Sequence, residues 1–285
     1  MGFPSAIYRE LVYGGHLLAL GTASIAASAA LLIGEVPGWD LLLMAYLFSL
    51  GAYSINRVSD FAQDAVSHPD RTAYLAPRVR ALKWVSAGCF LVGYALALAR
   101  NLVFFAALLV PLMLALAYSV SSKAMAGSLG ISRLKEGVLV KNLTVSAGWA
   151  LIPLLVGLYY STLPVAIIAL APFIFLRLME NTIFFDQRDV AADAAFGVNT
   201  LPVKYGTRLS SRAMDLIDVG SGVYLAAAVL AGAVPFYAGA LLVFVPYSFG
   251  YRLYSRSGKH RDSVRDFAAD GEYVLWGVLT YIGHL

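Results

Sequence analysis

The stretch NRVSDFAQD, residues 56–64, closes an apolar run and sets Asn56, Asp60 and Asp64 four residues apart. Four residues turn an α-helix by about 400°, a net drift of only ~40°, so the three side chains form one ridge. A second stretch, FFDQRDVAAD (184–193), ends another apolar run. It spaces Asp186, Asp189 and Asp193 at i, i+3 and i+7, again on one helical face. Oxygen-rich ridges of this kind suit a hard cation such as Mg²⁺. Carboxylates near helix C-termini work against the helix dipole by ~0.3–1 kcal/mol each. Five aspartates so placed need compensating positive charge, which divalent metal supplies.

Mg²⁺ keeps several waters and binds a few carboxylates together with substrate phosphates. Arg71, Lys135, Lys141, Lys204 and Arg208 stand in the adjoining segments and suit the remaining phosphate charge. A phosphate head on a hydrocarbon tail describes a polyprenyl diphosphate.

The elements that carry these ridges are membrane spans. Of 285 residues, 60% are hydrophobic and 13% charged, with mean hydropathy +0.73. Soluble globular chains carry about 45–50% apolar and roughly 25% charged residues. Apolar runs near twenty residues recur, which makes this an all-α polytopic membrane protein embedded in the bilayer. Runs at 11–33, 41–55, 83–99 and 102–120 give four spans. Residues 143–176 carry no charge and, at ~1.5 Å per residue, would reach ~50 Å as one helix against a ~30 Å hydrocarbon core. The run therefore folds back at YYSTLP (159–164), giving spans at 138–158 and 163–185. Residues 219–251 split in the same way near GAVP (232–235), and a ninth span covers 266–284. The expected architecture is one domain over 1–285, about nine helices bundled around a central cavity.

Every Lys and Arg except Arg100 and Arg177 lies at the N-terminus or in alternate connections. The positive-inside rule then places the N-terminus and both acidic motifs on the cytoplasmic side of a cell (plasma or inner) membrane. Cys89 stands alone and excludes an intramolecular disulfide. No removable signal peptide is read at the N-terminus, and no nucleic-acid partner is expected.

Other charged residues have two readings. Arg177 and Glu180, three apart inside the sixth span, are either functional intramembrane charges or an ion pair on one helix surface. Asp262, Asp266 and Asp270 repeat the four-residue spacing, but KHRDSVR flanks them, so a solvated interfacial face is the expectation. His16, His68, His260 and His284 are scattered and suggest no zinc site.

The two motifs resemble those of the UbiA superfamily of intramembrane aromatic prenyltransferases. NRVSDFAQD matches an NxxxDxxxD pattern, and DQRDVAADAAFGVNTLPVKYG (186–206) matches DxxDxxxD followed by Gly-x-x-Thr-Leu-Pro. DRT (70–72) looks like the arginine that follows the first motif. Tyr118-Ser119, Lys135 and VKN (140–142) look like the loop between the fourth and fifth helices. The likeness covers about 50–215. Arg57 departs from it, standing where many members have the Asp of an Asn-Asp pair, and RTAYLAP replaces an Arg-Pro-Leu stretch. Both departures bear on the acceptor.

The resemblance implies Mg²⁺-dependent transfer of a polyprenyl group from an allylic diphosphate to a lipophilic or aromatic acceptor. Asp60, Asp64, Asp189 and Asp193 would serve metal, with Asp186 in support. Asn56 would orient metal or diphosphate, while Arg71, Tyr118, Lys135, Lys141 and Lys204 would contact the diphosphate. A quinone-precursor ring, a glycerol phosphate ether, a carotenoid end and a porphyrin all remain open as acceptors. The rival reading is a membrane transporter using the aspartates as cation ligands; its sites typically lie near the bilayer midplane, unlike these motifs.

Overall fold

In a computed structural model, residues 3–119, 139–257 and 265–285 are described, and among them there is helix and no strand. An opening helix α1 (Phe3–Tyr8) and a π-helical turn (Arg9–Tyr13) lead into α2 (His16–Leu32). Next come α3 (Trp39–Ser59), two short helices α4 (Phe61–Ser67) and α5 (Pro69–Leu75), then α6 (Val79–Arg100) and α7 (Leu102–Ser119). Beyond them lie α8 (Val140–Tyr159), α9 (Val165–Ala195) and α10 (Leu201–Leu230). A 3₁₀ segment (Phe236–Val243) runs into α11 (Phe244–Ser257), and a π-helical turn (Arg265–Ala269) opens α12 (Asp270–His284).

By length and composition, five of the described helical stretches can cross a membrane, or six if the bent pair around Gly14-Gly15 forms one span. The expected turns are where the sequence puts them. Helix α8 stops at Tyr159, and α9 starts behind Pro164, which occupies the N-cap rather than the first helical position. Helix α10 stops at Leu230, ahead of the turn that ends in Pro235. Within α10 the axis breaks at Gly206, whose φ of 81° suits a residue without Cβ.

Helix α2 packs along α12, α3 against α6, and α9 between α8 and α10. The core they enclose is aromatic at its centre: Phe173 stacks on Trp276 at 5.1 Å between ring centroids, and Trp149 tilts onto Tyr273 at 5.2 Å. Outward-facing positions are apolar too, with Leu91 73% and Leu230 87% exposed. Such side chains face hydrocarbon in a multi-pass integral membrane protein.

Candidate active site

Helix α3 delivers Asn56 on its last full turn and ends at Ser59. Asp60 takes the cap with φ −102° and ψ 9°, which bends the chain into α4. The sequence spacing treats 56–64 as one uninterrupted helix; the structure interrupts it here. The i→i−4 hydrogen bonding nevertheless continues, from Asp60 N to Asn56 O at 2.9 Å and from Asp64 N to Asp60 O at 2.8 Å. The ridge therefore survives the bend. Asn56, Asp60 and Asp64 all line one chamber of about 190 Å³, and Asp186, Asp189 and Asp193 of α9 line the same chamber. Gln63 ties the ridges together, donating from Nε2 to Asp193 Oδ1 at 2.8 Å. Carboxylates more than 120 residues apart in sequence thus meet in one space.

Basic groups already hold most of these carboxylates. Lys141 Nζ lies 2.7 Å from Asp186 Oδ1 and 3.5 Å from Asp193 Oδ2. Asn142 donates to the other Asp186 oxygen at 2.7 Å. Arg71 Nη2 sits 3.0 Å from Asp64 Oδ2. Arg188 Nε is 3.0 Å from Asp189 Oδ1, and His68 Nε2 is 3.3 Å from the same atom. Burial pushes the His68 imidazole below its ordinary pKa, opposed by its bond to Asp189. Among the described residues, no three Asp, Glu, His or Cys side chains are already drawn together as a metal cluster.

A second chamber, of about 230 Å³, opens beside the first. Its lining is apolar, including Met44, Phe48, Phe104, Leu108 and Trp149. Tyr53, Asn56 and Val145 line both chambers and mark their junction. A polar chamber and an apolar one therefore share one boundary.

A model of the UbiA prenyltransferase family matches residues 17–276. The chain belongs to that family. A curated relative, digeranylgeranylglyceryl phosphate synthase of Methanopyrus kandleri, is 28% identical over 186 residues, 64% of this chain and 62% of that protein's length. Among solved structures, a UbiA homolog from Archaeoglobus fulgidus bound to GPP and Mg²⁺ superposes with a TM-score of 0.66 at 14% identity, covering 95% of this chain and 99% of that one. The apo UbiA homolog from Aeropyrum pernix K1 gives 0.64 at 15% identity, covering 94% and 96%. At these identities the two structures establish the fold.

The remaining residues anticipated from sequence divide three ways. Arg71 and Lys141 line the polar chamber of this family member. Lys204 is exposed on the first turn of α10, with Nζ 5.5 Å from the Tyr205 ring, and is not among the lining residues. Lys135 and the Tyr118 side chain lie outside the described residues.

Two readings are corrected. Asp266 and Asp270 do not form a solvated face, since both line the polar chamber and Asp266 receives Arg188 Nη1 at 2.6 Å. Asp262 lies outside the described residues. Arg177 and Glu180 do not pair with each other on one helix surface. Arg177 reaches Asp218 of α10 and Glu272 of α12, the latter at 2.7 Å, while Glu180 faces Arg252 of α11 at 3.3 Å. Arg252 in turn meets Asp218 at 2.8 Å. This buried network clamps α9 to three other elements on a side that does not line the polar chamber.

Gln63, His68, Arg188 and Asn142 are site residues that motif spacing alone did not assign. Gln63 and Arg188 lie inside the quoted motifs, and Asn142 inside VKN, so each was visible as a neighbour of an assigned residue. His68, just before the Pro69 that opens α5, carried no such signal.

Proposed function

We propose that this protein transfers a polyprenyl group from an allylic diphosphate to a lipophilic or aromatic acceptor, with Mg²⁺ as cofactor and release of diphosphate. One observation carries the reading: two aspartate ridges line a polar chamber that continues into an apolar one. The relative named as a digeranylgeranylglyceryl phosphate synthase and the homolog bound to GPP and Mg²⁺ support the same donor class.

The donor set fits Mg²⁺, being carboxylate oxygens from two walls of one space. Asp60, Asp64, Asp189 and Asp193 would hold it, with Asp186 anchored behind them by Lys141 and Asn142. When bound, the metal supplies positive charge against the oxygens that the diphosphate leaving group carries away. Arg71, Lys141 and Arg188 now neutralise carboxylates. With Asp64, Asp189 and Asp193 committed to metal, Arg71, Arg188 and the side of Lys141 beside Asp193 would be open to phosphate oxygens. Asn56, at the junction, would orient the diphosphate while the hydrocarbon chain fills the apolar chamber. That chamber keeps water away from the allylic cation.

The whole chain, 1–285, acts in this reading as one domain with nine crossings. Helix α7, the 3₁₀–α11 segment and α12 supply the crossings beyond the long spans. The basic connections support, by the positive-inside rule, an N-terminus and polar chamber at the cytoplasmic face of the plasma or inner membrane.

The test uses purified protein with radiolabelled geranylgeranyl diphosphate. Mg²⁺-dependent binding that Asp60→Ala and Asp189→Ala each abolish is the expected result. Mg²⁺-independent binding, or cation flux through liposomes carrying the protein without donor turnover, would refute the assignment.

A further inference from the structure

Beyond the break at Gly206, α10 runs without interruption to Leu230 and turns one continuous face outward. Arg208, Arg212, Leu216, Val219, Val223 and Leu230 stand on it at steps of four, four, three, four and seven residues. At ~100° per residue those steps keep all six within ~80° of one another, a single stripe. Every one is exposed, Leu216 by 75% and Val223 by 64%, whereas Met214 and Ser221 on the opposite face are buried. An apolar stripe turned outward on a spanning helix faces acyl chains. Two arginines continue this stripe at its upper end. Arg208 does not line the polar chamber, although its place after the second motif suits substrate phosphate.

Helix rise fixes their depth. From Arg212 to Leu230 the axis advances ~27 Å at ~1.5 Å per residue, close to the ~30 Å hydrocarbon core, and Arg208 stands ~6 Å further out. The two guanidiniums therefore sit at headgroup level. Neither has a hydrogen-bond or ion-pair partner among the described residues. Asp215, the next acidic residue along α10, is committed to Arg252 at 3.2 Å. Two uncompensated guanidiniums one turn apart suit a phosphate that brings net negative charge, whose oxygens each planar fork can hold bidentately. A zwitterionic headgroup carries its own ammonium and brings none. The turns that present these arginines also touch the second acidic motif. Gln187, between Asp186 and Asp189, reaches across from α9 with Nε2 3.2 Å from Thr207 O, 2.8 Å from Ser210 Oγ and 2.9 Å from Ser211 Oγ.

We infer that Arg208 and Arg212 bind the headgroup phosphate of an anionic phospholipid, and that the bound lipid steadies the second acidic motif through Gln187. The binding half stands on the stripe alone; the coupling half rests on the prenyltransferase reading above. The phosphate bridges the two guanidiniums while an acyl chain lies along Leu216, Val219 and Val223. Headgroup contact holds residues 207–212 in place, and Gln187 passes that restraint to the carboxylates on either side of it. Gln187 is then a positioning residue, and the lipid acts from outside the chamber.

The experiment uses the full chain and has two arms. Native mass spectrometry in detergent compares dioleoylphosphatidylglycerol with dioleoylphosphatidylcholine and needs no donor. The wild-type protein is expected to retain phosphatidylglycerol more tightly. Replacing both arginines, Arg208→Gln with Arg212→Gln, should weaken that binding by roughly 30-fold, the scale set by two interfacial arginines. Arg208→Lys with Arg212→Lys keeps the charge and should keep the lipid preference. In nanodiscs with Mg²⁺ and radiolabelled geranylgeranyl diphosphate, phosphatidylglycerol should raise donor affinity about fivefold or more over phosphatidylcholine alone. The glutamine pair should lose that gain, and Gln187→Ala should lose it while still retaining the lipid. Equal affinity for the two lipids, or an unchanged preference in the glutamine pair, would overturn the site. A gain that persists in the glutamine pair or in Gln187→Ala would overturn the coupling. A wild-type protein that retains phosphatidylglycerol but binds no donor in either nanodisc would instead remove the prenyltransferase reading and leave the lipid site standing.

Discussion

Lys141 holds Asp186 at 2.7 Å, so a cation near the start of α8 neutralises a carboxylate that α9 buries completely. Breaking such a pair from one side strands the remaining charge, at a cost of about 3–5 kcal/mol when the partner is fully buried. Lys141→Met is expected to lower the midpoint of thermal unfolding in detergent. Asp186→Asn in the same chain restores most of it, because the amide needs no counter-charge. An unchanged midpoint in the single variant would show that Asn142 alone carries Asp186.

On the proposed function, the apolar chamber would set how long a prenyl chain is accepted. Gly148 of α8 lines it, and a Cβ at that position meets no atom within 4 Å. Gly148→Leu therefore fills chamber space rather than colliding with a neighbour. Denying one five-carbon unit its seat removes up to about 4 kcal/mol of burial at ~0.8 kcal/mol per CH₂. Steady-state kinetics should show kcat/KM for a C20 donor falling by tenfold or more while a C10 donor is spared. Equal losses for both lengths would place the chain elsewhere.

The two acidic motifs were legible because side-chain spacing on a helix is local geometry. Four-residue steps in NRVSDFAQD put three oxygen-bearing groups on one ridge, and the cap at Asp60 did not undo it. Asp266 and Asp270 carry the same spacing and were misread, because spacing says which residues share a face and nothing about what that face meets. The charged flank KHRDSVR pointed to solvent, yet the fold turns this face onto the chamber. The pairing of Arg177 with Glu180, one of the two readings open for them, failed for a related reason. Three residues apart they satisfy a local pairing rule, but their partners Asp218, Glu272 and Arg252 come from three elements far along the chain.

That network makes its own prediction. Arg177 is 1% exposed and stands against Asp218 and Glu272, with Nη2 also donating to Phe244 O at 3.2 Å. Arg177→Met takes the counter-charge from the buried Glu272, while Asp218 keeps Arg252, so a loss of about 3–5 kcal/mol is expected. The purified yield and unfolding temperature should drop sharply. Lys204→Ala, at an exposed position, should leave both unchanged. Because the network does not line the polar chamber, the Arg177→Met protein that does fold should bind donor with an affinity within a few-fold of wild type. A selective loss of donor binding in folded protein would contradict the clamp.

The strongest check on the shared chamber is whether its two walls act as a unit. Asp60 stands on one ridge and Asp189 on the other, and both line the same space. Losing a group that supports a metal typically costs 10–100-fold in affinity or activity, so Asp60→Asn and Asp189→Asn should each fall by about 100-fold or more. Residues that act together are strongly non-additive. The double variant should therefore lose scarcely more than the worse single variant, as measured by kcat/KM at a fixed Mg²⁺ concentration that saturates the wild-type protein. Multiplicative losses would mean that the ridges serve separate tasks. Raising Mg²⁺ beyond the level that saturates the wild-type protein should recover part of either single loss, since a weakened site fills at higher concentration.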